Sequence, residues 1–576
     1  MPIHNSDVAE LFDRVADLLE IKGDNPFRVR AYRNAARAVG SLARNVAEMV
    51  EKGEDLIKIQ GIGKDLAAKI ETIVRTGKLP LLAELGREIP GSLTTLMRIP
   101  GLGPKKAGLL YRQLGIASVG DLKKAAQAKR LRELPGFGEK TETHILEELG
   151  RTGLAGERPG RFKLAVVEQI AEPLLEYLKK TEGVRELVVA GSYRRRKETV
   201  GDLDILVACT GGCKVMDRFV SYEDVSKVLA EGPTKSSVEL RGGLQVDMRV
   251  VPQPSYGAAL LYFTGSKAHN IAVRTIAVKK NLKINEYGVF RGAKRLSGRT
   301  EKEVYKTVGL PYIEPELREN RGEIEAALKN RLPRLVTLAD IRGDLHVHTK
   351  RSDGHFTTEE MAGAAKERGY QYVAMTDHSQ HVTVARGLDA KRLAEEIREI
   401  DGLNKRMKGI LILKSIELDI LENGSLDLDE GILKELDVVI CSVHYKFNLS
   451  RDKQTERIIR AMDNPLVNVF CHPTGRLIDE RPAYEVDMEK IIAAARERKC
   501  CLELNAHPDR LDLDDIHCQM AKEMGVKVAI STDAHRIDDL AFMRFGVGQA
   551  RRGWLEPEDV LNTRSWPELK KLLKRA

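Results

Sequence analysis

The C-terminal part of this 576-residue chain sets the tightest constraint on its fold. Seven short apolar runs there each end in side chains that ligate metals. The runs end at Asp344-Leu345-His346-Val347-His348, Thr376-Asp377-His378, Glu417, His444, His472, Glu503-Leu504-Asn505 and Thr532-Asp533-Ala534-His535. Helix-like stretches such as 359–366 and 390–399 lie between them, and strand–helix alternation predicts a parallel, barrel-like sheet. In such barrels the C-terminal strand ends converge on one face, where active sites sit. A single histidine on such a run is more often a satisfied core residue than a ligand. Six histidines at seven strand ends are hard to explain that way. Imidazoles and carboxylates gathered on one face suit Zn²⁺, Mn²⁺ or Fe.

The length predicts several domains, each able to bury its own core. Charge divides the chain: residues 1–340 carry 57 Lys+Arg and 44 Asp+Glu, a net +13, while residues 341–576 carry 37 and 41, a net −4. A basic front suits a polyanion, most often nucleic acid, although charge of this size also serves ordinary solubility. The seven cysteines show no CxxC spacing and read as reduced thiols of a cytosol. The first residues, MPIHNSDVAE, lack an apolar signal core, and no run is long enough to span a bilayer. No membrane partner is expected.

Residues 1–90 read as helices punctuated by glycines, and residues 91–150 as further short helices. A helix is expected from about Leu164 to Lys179, then β-rich runs at 186–190, 204–208 and 244–251. Residues 255–315 are mixed and strongly basic, and 316–340 look like a helix and a linker. The barrel is expected from about Gly343.

A repeat runs through the first part. Ile59-Gln60-Gly61-Ile62-Gly63, Ile99-Pro100-Gly101-Leu102-Gly103 and Leu134-Pro135-Gly136-Phe137-Gly138 share the pattern apolar-x-Gly-apolar-Gly, each before a helical run. Two glycines permit φ > 0 and close approach of another backbone. Backbone N–H groups at the following helix start can then hold a phosphate. This is the helix–hairpin–helix pattern of DNA binding without sequence preference. One copy alone could be a tight packing turn; three make that reading inadequate for all.

A second constellation is Gly191-Ser192, followed by Asp202-Leu203-Asp204 and by Asp247 in another strand-like run. On a strand Asp202 and Asp204 point to one face. Three carboxylates from two strands can hold two Mg²⁺ ions, and Gly191 and Ser192 can donate to triphosphate oxygens. An isolated Asp-x-Asp is usually a solvated strand end. The upstream Gly-Ser and the third aspartate make a site the better reading.

Gly-Ser followed by Asp-x-Asp and a third Asp resembles the nucleotidyltransferase signature. Leu261-Tyr262-Phe263-Thr264-Gly265-Ser266 with Asn270 resembles the nucleotide-binding stretch of X-family DNA polymerases. The C-terminal part resembles the polymerase-and-histidinol-phosphatase (PHP) domain, and the resemblance runs essentially end to end. It implies that Asp202, Asp204 and Asp247 are the catalytic, metal-binding palm aspartates. Gly191, Ser192 and Arg195 would contact the triphosphate. Tyr262, Phe263 and Gly265 would lie around the sugar, Asn270 at the base's minor-groove edge and Arg274 at the template. Gln245 departs from the arginine expected near the third aspartate. Lys69 falls on the Schiff-base lysine of a lyase domain, with Tyr32 in support, but Phe27, Asp65 and Leu81 replace basic or imidazole groups. A surface lysine on a DNA-binding helix is the plainer account of Lys69. His346, His348, Asp353, His378, Glu417, His444, His472, Asp533 and His535 match nine metal ligands, implying three Mn²⁺ or Zn²⁺ ions. His355, His381, His507 and Asn505 lie near ligands in sequence.

The fold expected from the resemblance is therefore multidomain. It comprises a helical lyase-like domain (1–90), helical fingers (91–155), an α/β nucleotidyltransferase palm (156–255), a thumb (256–317), a linker (318–341) and a distorted (βα)7 PHP barrel (342–576). The DNA-binding glycines are Gly61, Gly63, Gly101, Gly103, Gly136 and Gly138. The implied activity is gap-filling DNA synthesis in base excision repair, with 3′–5′ exonuclease, 3′-end phosphoesterase or abasic endonuclease chemistry in the barrel. Gapped or nicked DNA and deoxynucleoside triphosphates are the expected partners of a cytoplasmic, nucleoid-associated monomer. Two rivals stay open: a DNA-end-processing nuclease whose nucleotidyltransferase half only binds DNA, and a nucleotidyltransferase acting on RNA or a small molecule.

Overall fold

The computed structural model describes residues 5–40, 46–59, 61–90, 93–97, 102–134, 137–138, 141–142, 145–146 and 161–573. The chain divides into two compact units, residues 1–160 and 161–576.

The first unit is helical. Val8, Phe12, Val15 and Leu19 form one fully buried stripe of the helix Asn5–Lys22, the spacing a 3.6-residue period requires. Pro104 opens the helix Pro104–Leu114 and left-handed Gly115 ends it, the usual asymmetry of helix termini. Gly108 lets that helix meet the first one: a Cβ there would stand 2.4 Å from the Ile21 carbonyl oxygen. The hairpin repeat has a shared logic. Ile62, Leu102 and Phe137, the apolar residues between the paired glycines, are all buried in the common core. Gly61 takes φ +93, but Gly63 and Gly103 are extended N-caps of the helices Lys64–Thr76 and Pro104–Leu114. Only the first glycine of the described hairpin thus uses the left-handed region. Gly101 and Gly136 lie outside the described residues. A Cβ on Gly63, Gly103 or Gly138 would meet nothing within 4 Å, so these positions leave space for another molecule's backbone.

The second unit begins with β1 (Phe162–Lys163), the helix Leu164–Lys179, β2 (Val184–Val189) and β3 (Thr199–Val200), which pairs with β1. β4 (Asp202–Cys209), β5 (Val225–Ala230), β6 (Lys235–Leu240) and β7 (Gln245–Val251) complete a palm sheet of order β2-β4-β7-β6-β5. Only β4 and β7 run parallel within it. Period-two alternation along β4 decides what each face does. Leu203, Ile205 and Val207 enter the core beneath the helix Leu164–Lys179, while Leu206 and Ala208 pack with Val251, Tyr256 and Ala259. Asp202 and Asp204 continue that second face. β5 and β6 escape a sequence reading for different reasons: β5 (VSKVLA) is an edge strand left largely exposed, and β6 (KSSVEL) carries little apolar signal.

The thumb holds the helices Tyr256–Thr264, Lys267–Lys279 and Glu301–Val308 and an antiparallel sheet of β8 (Lys283–Asn285), β9 (Gly288–Arg291) and β10 (Lys294–Ser297). The segment expected as a linker is packed into it. Ile324, Ala327 and Leu335 join the thumb core, and buried Arg318 donates to Glu301 at 2.6 Å.

In the C-terminal domain β11 (Gly343–Val347), β12 (Tyr372–Met375) and β13 (Leu411–Lys414) form one parallel sheet. β14 (Glu417–Asp419), β15 (Ile440–Ser442), β16 (Val469–Phe470), β17 (Cys501–Asn505) and β18 (Val528–Ser531) form a second. β13 and β14 are successive pieces of one passage interrupted at Ser415-Ile416. The parallel bridges His378–Glu417 and Val347–Ala534 join the sheets at both seams. The result is a seven-passage parallel ring: the alternation's barrel-like sheet, and the distorted (βα)7 barrel that the resemblance implied.

The barrel packs on the palm and thumb. Ile478, Leu511 and Phe545 enter the palm's apolar core. Around them Arg476 meets Glu198 at 2.7 Å, Lys163 meets Asp509 at 2.6 Å, and Arg552 meets Glu319 at 3.0 Å. No helix among the described residues is long and apolar enough to cross a membrane.

Candidate functional site

Two centres stand out. In the palm, the parallel register sets Asp204 directly beside Asp247, and Asp202 beside Gln245. Gln245 donates to Asp247 at 2.9 Å, and Lys235 Nζ stands 3.4 Å from the same carboxylate. Burial, then the charges of Asp202 and Asp247, push Asp204 up to about 7. Burial and Asp247 likewise raise Asp202. Carboxylates crowded to this degree fit cations, which remove the repulsion that raises them. The set is nonetheless open: the three palm aspartates do not bring three donor atoms within 4.8 Å of one another. Gly191, at φ +62, brings its backbone against this cluster; a Cβ there would lie 2.7 Å from Asp204 Oδ2. Ser192 follows on the same short helical turn.

Arg195 is held on two edges. Its Nε donates to Glu319 at 3.0 Å, and a terminal amino group donates to the Thr264 carbonyl at 2.6 Å, beside Gly265. Glu319 is itself held by Arg552 of the barrel, whose guanidinium also donates to the Arg195 carbonyl at 2.8 Å. Arg552, then Arg195, outweigh burial and keep the Glu319 carboxyl down at about 2. One end of the Arg195 fork carries no protein hydrogen bond. Tyr262, Asn270 and Arg274 line one shallow cavity with Ala258, Val273 and Ile284. Asn270 donates to the Tyr262 carbonyl at 2.7 Å, and the Arg274 guanidinium lies 5.1 Å from the Tyr262 ring centre. Phe263 stacks edge-on to Tyr262 and lines the palm cavity with Asp204, Asp247 and Arg249. The structure therefore brings together the residues expected around a nucleotide.

The barrel centre is denser. Glu417 sits at its middle, buried, with His472 Nε2 at 2.8 Å, His378 Nδ1 at 2.9 Å and His444 Nε2 at 3.2 Å. His348 Nε2 lies 3.1 Å from Asp533. Asp353 stands 3.4 Å from His535 and 3.5 Å from His378. Three of the four clusters of possible ligands use only the nine expected residues: His346–His348–Asp533, His348–Asp353–His378–His535 and His378–Glu417–His444. Buried Nδ1 atoms of His348 and His472 have no hydrogen-bond partner. Such orphaned donors, mixed with carboxylates, fit divalent transition metals. The charges show the same poise. Burial opposes charging His378, but Glu417 and Asp353 outweigh it and raise it to about 10. Burial, with His535 and His378, drives His348 down to about 4.

The fourth cluster, His346–Cys471–Glu503, contains residues outside the nine ligands that the resemblance implied. Glu503 accepts from His346 Nδ1 at 2.7 Å and from the His472 backbone at 2.8 Å, with Cys471 adjoining. A carboxylate behind an imidazole fixes its tautomer and raises its basicity. Its place at the end of the sixth apolar run was the available signal. Asp377 similarly accepts from the Thr349 and Ser352 backbones, holding the loop between His348 and Asp353. Asn505 donates to Asp533 at 2.9 Å. His381 Nδ1 lies 2.8 Å from buried Asp419. The His507 ring takes the Asp509 backbone N–H, and His355 is exposed.

In the first unit Lys69 pairs with Asp65 one helical turn back. Burial raises the Tyr32 phenol, and Lys69 opposes that rise, so the two stand close. Phe27 is exposed beneath Arg30.

Family models match along the chain in this order: Helix-hairpin-helix domain at residues 3–79, SAM-like Helix-hairpin-helix tandem at 93–151, DNA polymerase beta palm at 164–235, DNA polymerase beta thumb at 259–319 and PHP domain at 344–507. The DNA polymerase/3′-5′ exonuclease PolX of Bacillus subtilis (strain 168) is 41% identical over 577 residues, 100% of both chains. A probable phosphatase of Thermoanaerobacter sp. (strain X514) is 34% identical over 231 residues, covering 38% of this chain and 89% of its own. DNA polymerase lambda of Rattus norvegicus is 26% identical over 357 residues, 55% of this chain and 56% of its own. With a full-length relative of that identity and all five domain models in order, the chain belongs to the X-family DNA polymerases that carry a C-terminal PHP domain.

Proposed function

We propose that the chain fills short gaps during DNA repair, base excision repair included, and that its barrel hydrolyses phosphoesters at the 3′ end in the 3′–5′ direction. The observation that carries this reading is the coexistence, in one compact unit, of the paired Asp204–Asp247 strands and the barrel's overlapping His/Asp/Glu clusters. In the palm, Asp202, Asp204 and Asp247 would hold two Mg²⁺ ions, which when bound favour the ionised primer hydroxyl and neutralise the leaving pyrophosphate. Gly191 and Ser192 present donors to the triphosphate, and the free edge of Arg195 adds a charged one. Tyr262, Phe263 and Gly265 would bound the sugar, Asn270 the base edge, and Arg274 the template. The primer 3′ oxygen attacks the α-phosphorus, and pyrophosphate leaves.

In the barrel the nine ligands would hold three Mn²⁺ or Zn²⁺ ions, supplying a polarised phosphoryl group and an activated water. Glu503 fixes His346, Asp377 fixes the loop bearing Asp353, and Asn505 fixes Asp533. The paired-glycine turns would hold backbone phosphates without reading bases. Lys69 would supply a Schiff-base amine to an abasic sugar if DNA binding breaks its pair with Asp65. We place the protein in the cytoplasm at the nucleoid, as a monomer.

The clamp-only rival has no use for the paired aspartates beside Gly191 and Phe263. Assays of primer extension and of hydrolysis on gapped, 3′-phosphorylated and abasic duplexes, with Mg²⁺ and Mn²⁺ in turn, test the reading. Extension absent under every condition would leave only the nuclease.

A further inference from the structure

Beside the barrel's metal-ligand cluster stands a stack of planar groups that the hydrolytic chemistry does not use. The buried Arg457 guanidinium lies over the Tyr445 ring, 4.6 Å from its centre, and the His381 ring stacks on Tyr445 with centres 4.5 Å apart and planes at 29°. Arg457 is anchored by the Leu421 carbonyl at 2.9 Å and the Tyr445 carbonyl at 3.0 Å. His381 is the outer member, its side chain 42% exposed. Tyr445 directly follows His444, and His381 is three residues beyond His378. Asp419 ties stack to cluster, standing 2.8 Å from His381 and 3.6 Å from His444.

The loop that carries His381 is pinned at its base and bare at its tip. Leu388 N–H donates to the His378 carbonyl at 2.7 Å, and His381 N–H to Asp427 at 3.0 Å. Gly387 is pressed against Ser379, where a Cβ would stand 1.9 Å from the carbonyl oxygen. The tip presents Val384, 94% exposed, next to exposed Arg386. A lone exposed valine is ordinary. This one lies three residues beyond half-exposed His381, on the same loop.

We propose that the His381–Tyr445 stack is a subsite for the unpaired 3′-terminal nucleobase of a DNA strand, with Val384 as the wedge against the next base. The proposal rests on the barrel hydrolysing DNA 3′ ends. A base inside a duplex has both faces covered and a paired terminal base has only its outer face free, so a frayed, mispaired or single-stranded end presents its base to His381 most readily. Stacking on a fixed ring tolerates any base. The pinned loop and anchored guanidinium place the acceptor before the substrate arrives, which lowers the ordering cost.

The test compares single-stranded oligonucleotides ending in a normal or an abasic 3′ residue, with bis(p-nitrophenyl) phosphate as a small diester that has no nucleobase. For the unaltered chain the KM for the normal end should be about tenfold below that for the abasic end. His381→Ala should close that gap, and His381→Phe should reopen it. A gap unchanged in His381→Ala overturns the subsite. An equal loss of small-diester hydrolysis in His381→Ala also overturns it, by assigning His381 to the metal cluster through Asp419. If the unaltered chain hydrolyses the small diester but no DNA end, the DNA-end reading fails; if it hydrolyses neither, the phosphoesterase reading itself fails.

Discussion

The palm and the barrel solve the same problem, holding divalent cations near a phosphate, in opposite ways. The palm uses three carboxylates and no imidazole, spread too far apart to gather three donor atoms within 4.8 Å. The barrel gathers five histidines with Asp353, Glu417, Glu503 and Asp533, most of them buried, in overlapping clusters of possible ligands. An all-oxygen, half-open site suits a cation that arrives with its nucleotide and keeps its own water. A closed imidazole-rich site suits resident transition metals. The two centres should therefore separate under mutation and under chelation.

The largest effect expected is a double dissociation. Asp204→Asn or Asp247→Asn should reduce primer extension by at least about a thousandfold while leaving 3′-end hydrolysis within about twofold. Asp533→Ala or His346→Ala should do the reverse. Both reactions measured on one preparation of each variant decide the matter. Loss of both in a folded Asp533→Ala protein would refute two centres.

Next comes Glu503→Gln, a change outside the nine expected ligands. Removing the carboxylate behind His346 should lower barrel metal affinity or hydrolysis by about 10- to 100-fold, without touching extension. Metal content after dialysis, read by elemental analysis, separates lost affinity from lost rate. An unchanged Glu503→Gln protein would reduce this carboxylate to packing.

These two predictions mark where the sequence was legible. Alternating His and Asp residues at strand ends declare a shared face, because strand geometry and barrel closure leave them few other places. The same pattern could not say that Glu503, 157 residues from His346, would stand behind it rather than beside it. The palm strands β4 and β7 were legible from their apolar runs, but the exposed edge strand β5 and the Lys- and Ser-rich β6 were not. The segment 318–341 reads as a linker from its charge, yet Arg318 and Glu323 are buried because each finds a partner in the thumb: Glu301 and His269. Charge predicts exposure only where no partner waits. Nor could sequence reveal that Arg195 is pinned by Glu319, or that Glu319 is shared with the barrel.

That shared residue limits the separation. Arg552→Ala should raise the KM for deoxynucleotides severalfold, with kcat little changed, because Glu319 loses the partner that holds it against Arg195. Barrel hydrolysis, about which Arg552 has no say through a ligand, should stay within twofold. Steady-state extension against nucleotide concentration gives the split. An equal fall in both activities would point to general destabilisation, and no change would leave the palm indifferent to the barrel.

The smallest effect at neutral pH comes from the acids at this joint, and it sharpens the comparison by asking when the joint gives way. Glu319 is held down at about 2, where Arg552 and Arg195 outweigh its burial. Glu301, away from the barrel in the palm–thumb contact, is likewise held at about 2, with Arg318 and Arg194 outweighing burial. A carboxyl whose folded pKa lies below its unfolded value, about 4.3, stabilises the fold at every pH above that value. Its contribution shrinks as pH falls through the window from about 4.3 to about 2, because the unfolded state then binds the proton first. Depressed shifts of this size correspond to about 2–3 kcal/mol per group at most. Glu319→Gln should therefore be less stable than the unaltered chain at pH 7 by an amount within that bound, and the difference should not move between pH 8 and 5. It should narrow steadily below about pH 4.3. Denaturant unfolding followed at pH 7, 5, 4 and 3 reads it directly. A difference that closes already between pH 7 and 5 would place the stabilisation in the histidine–carboxylate pairs of the barrel instead of at the joint with the palm.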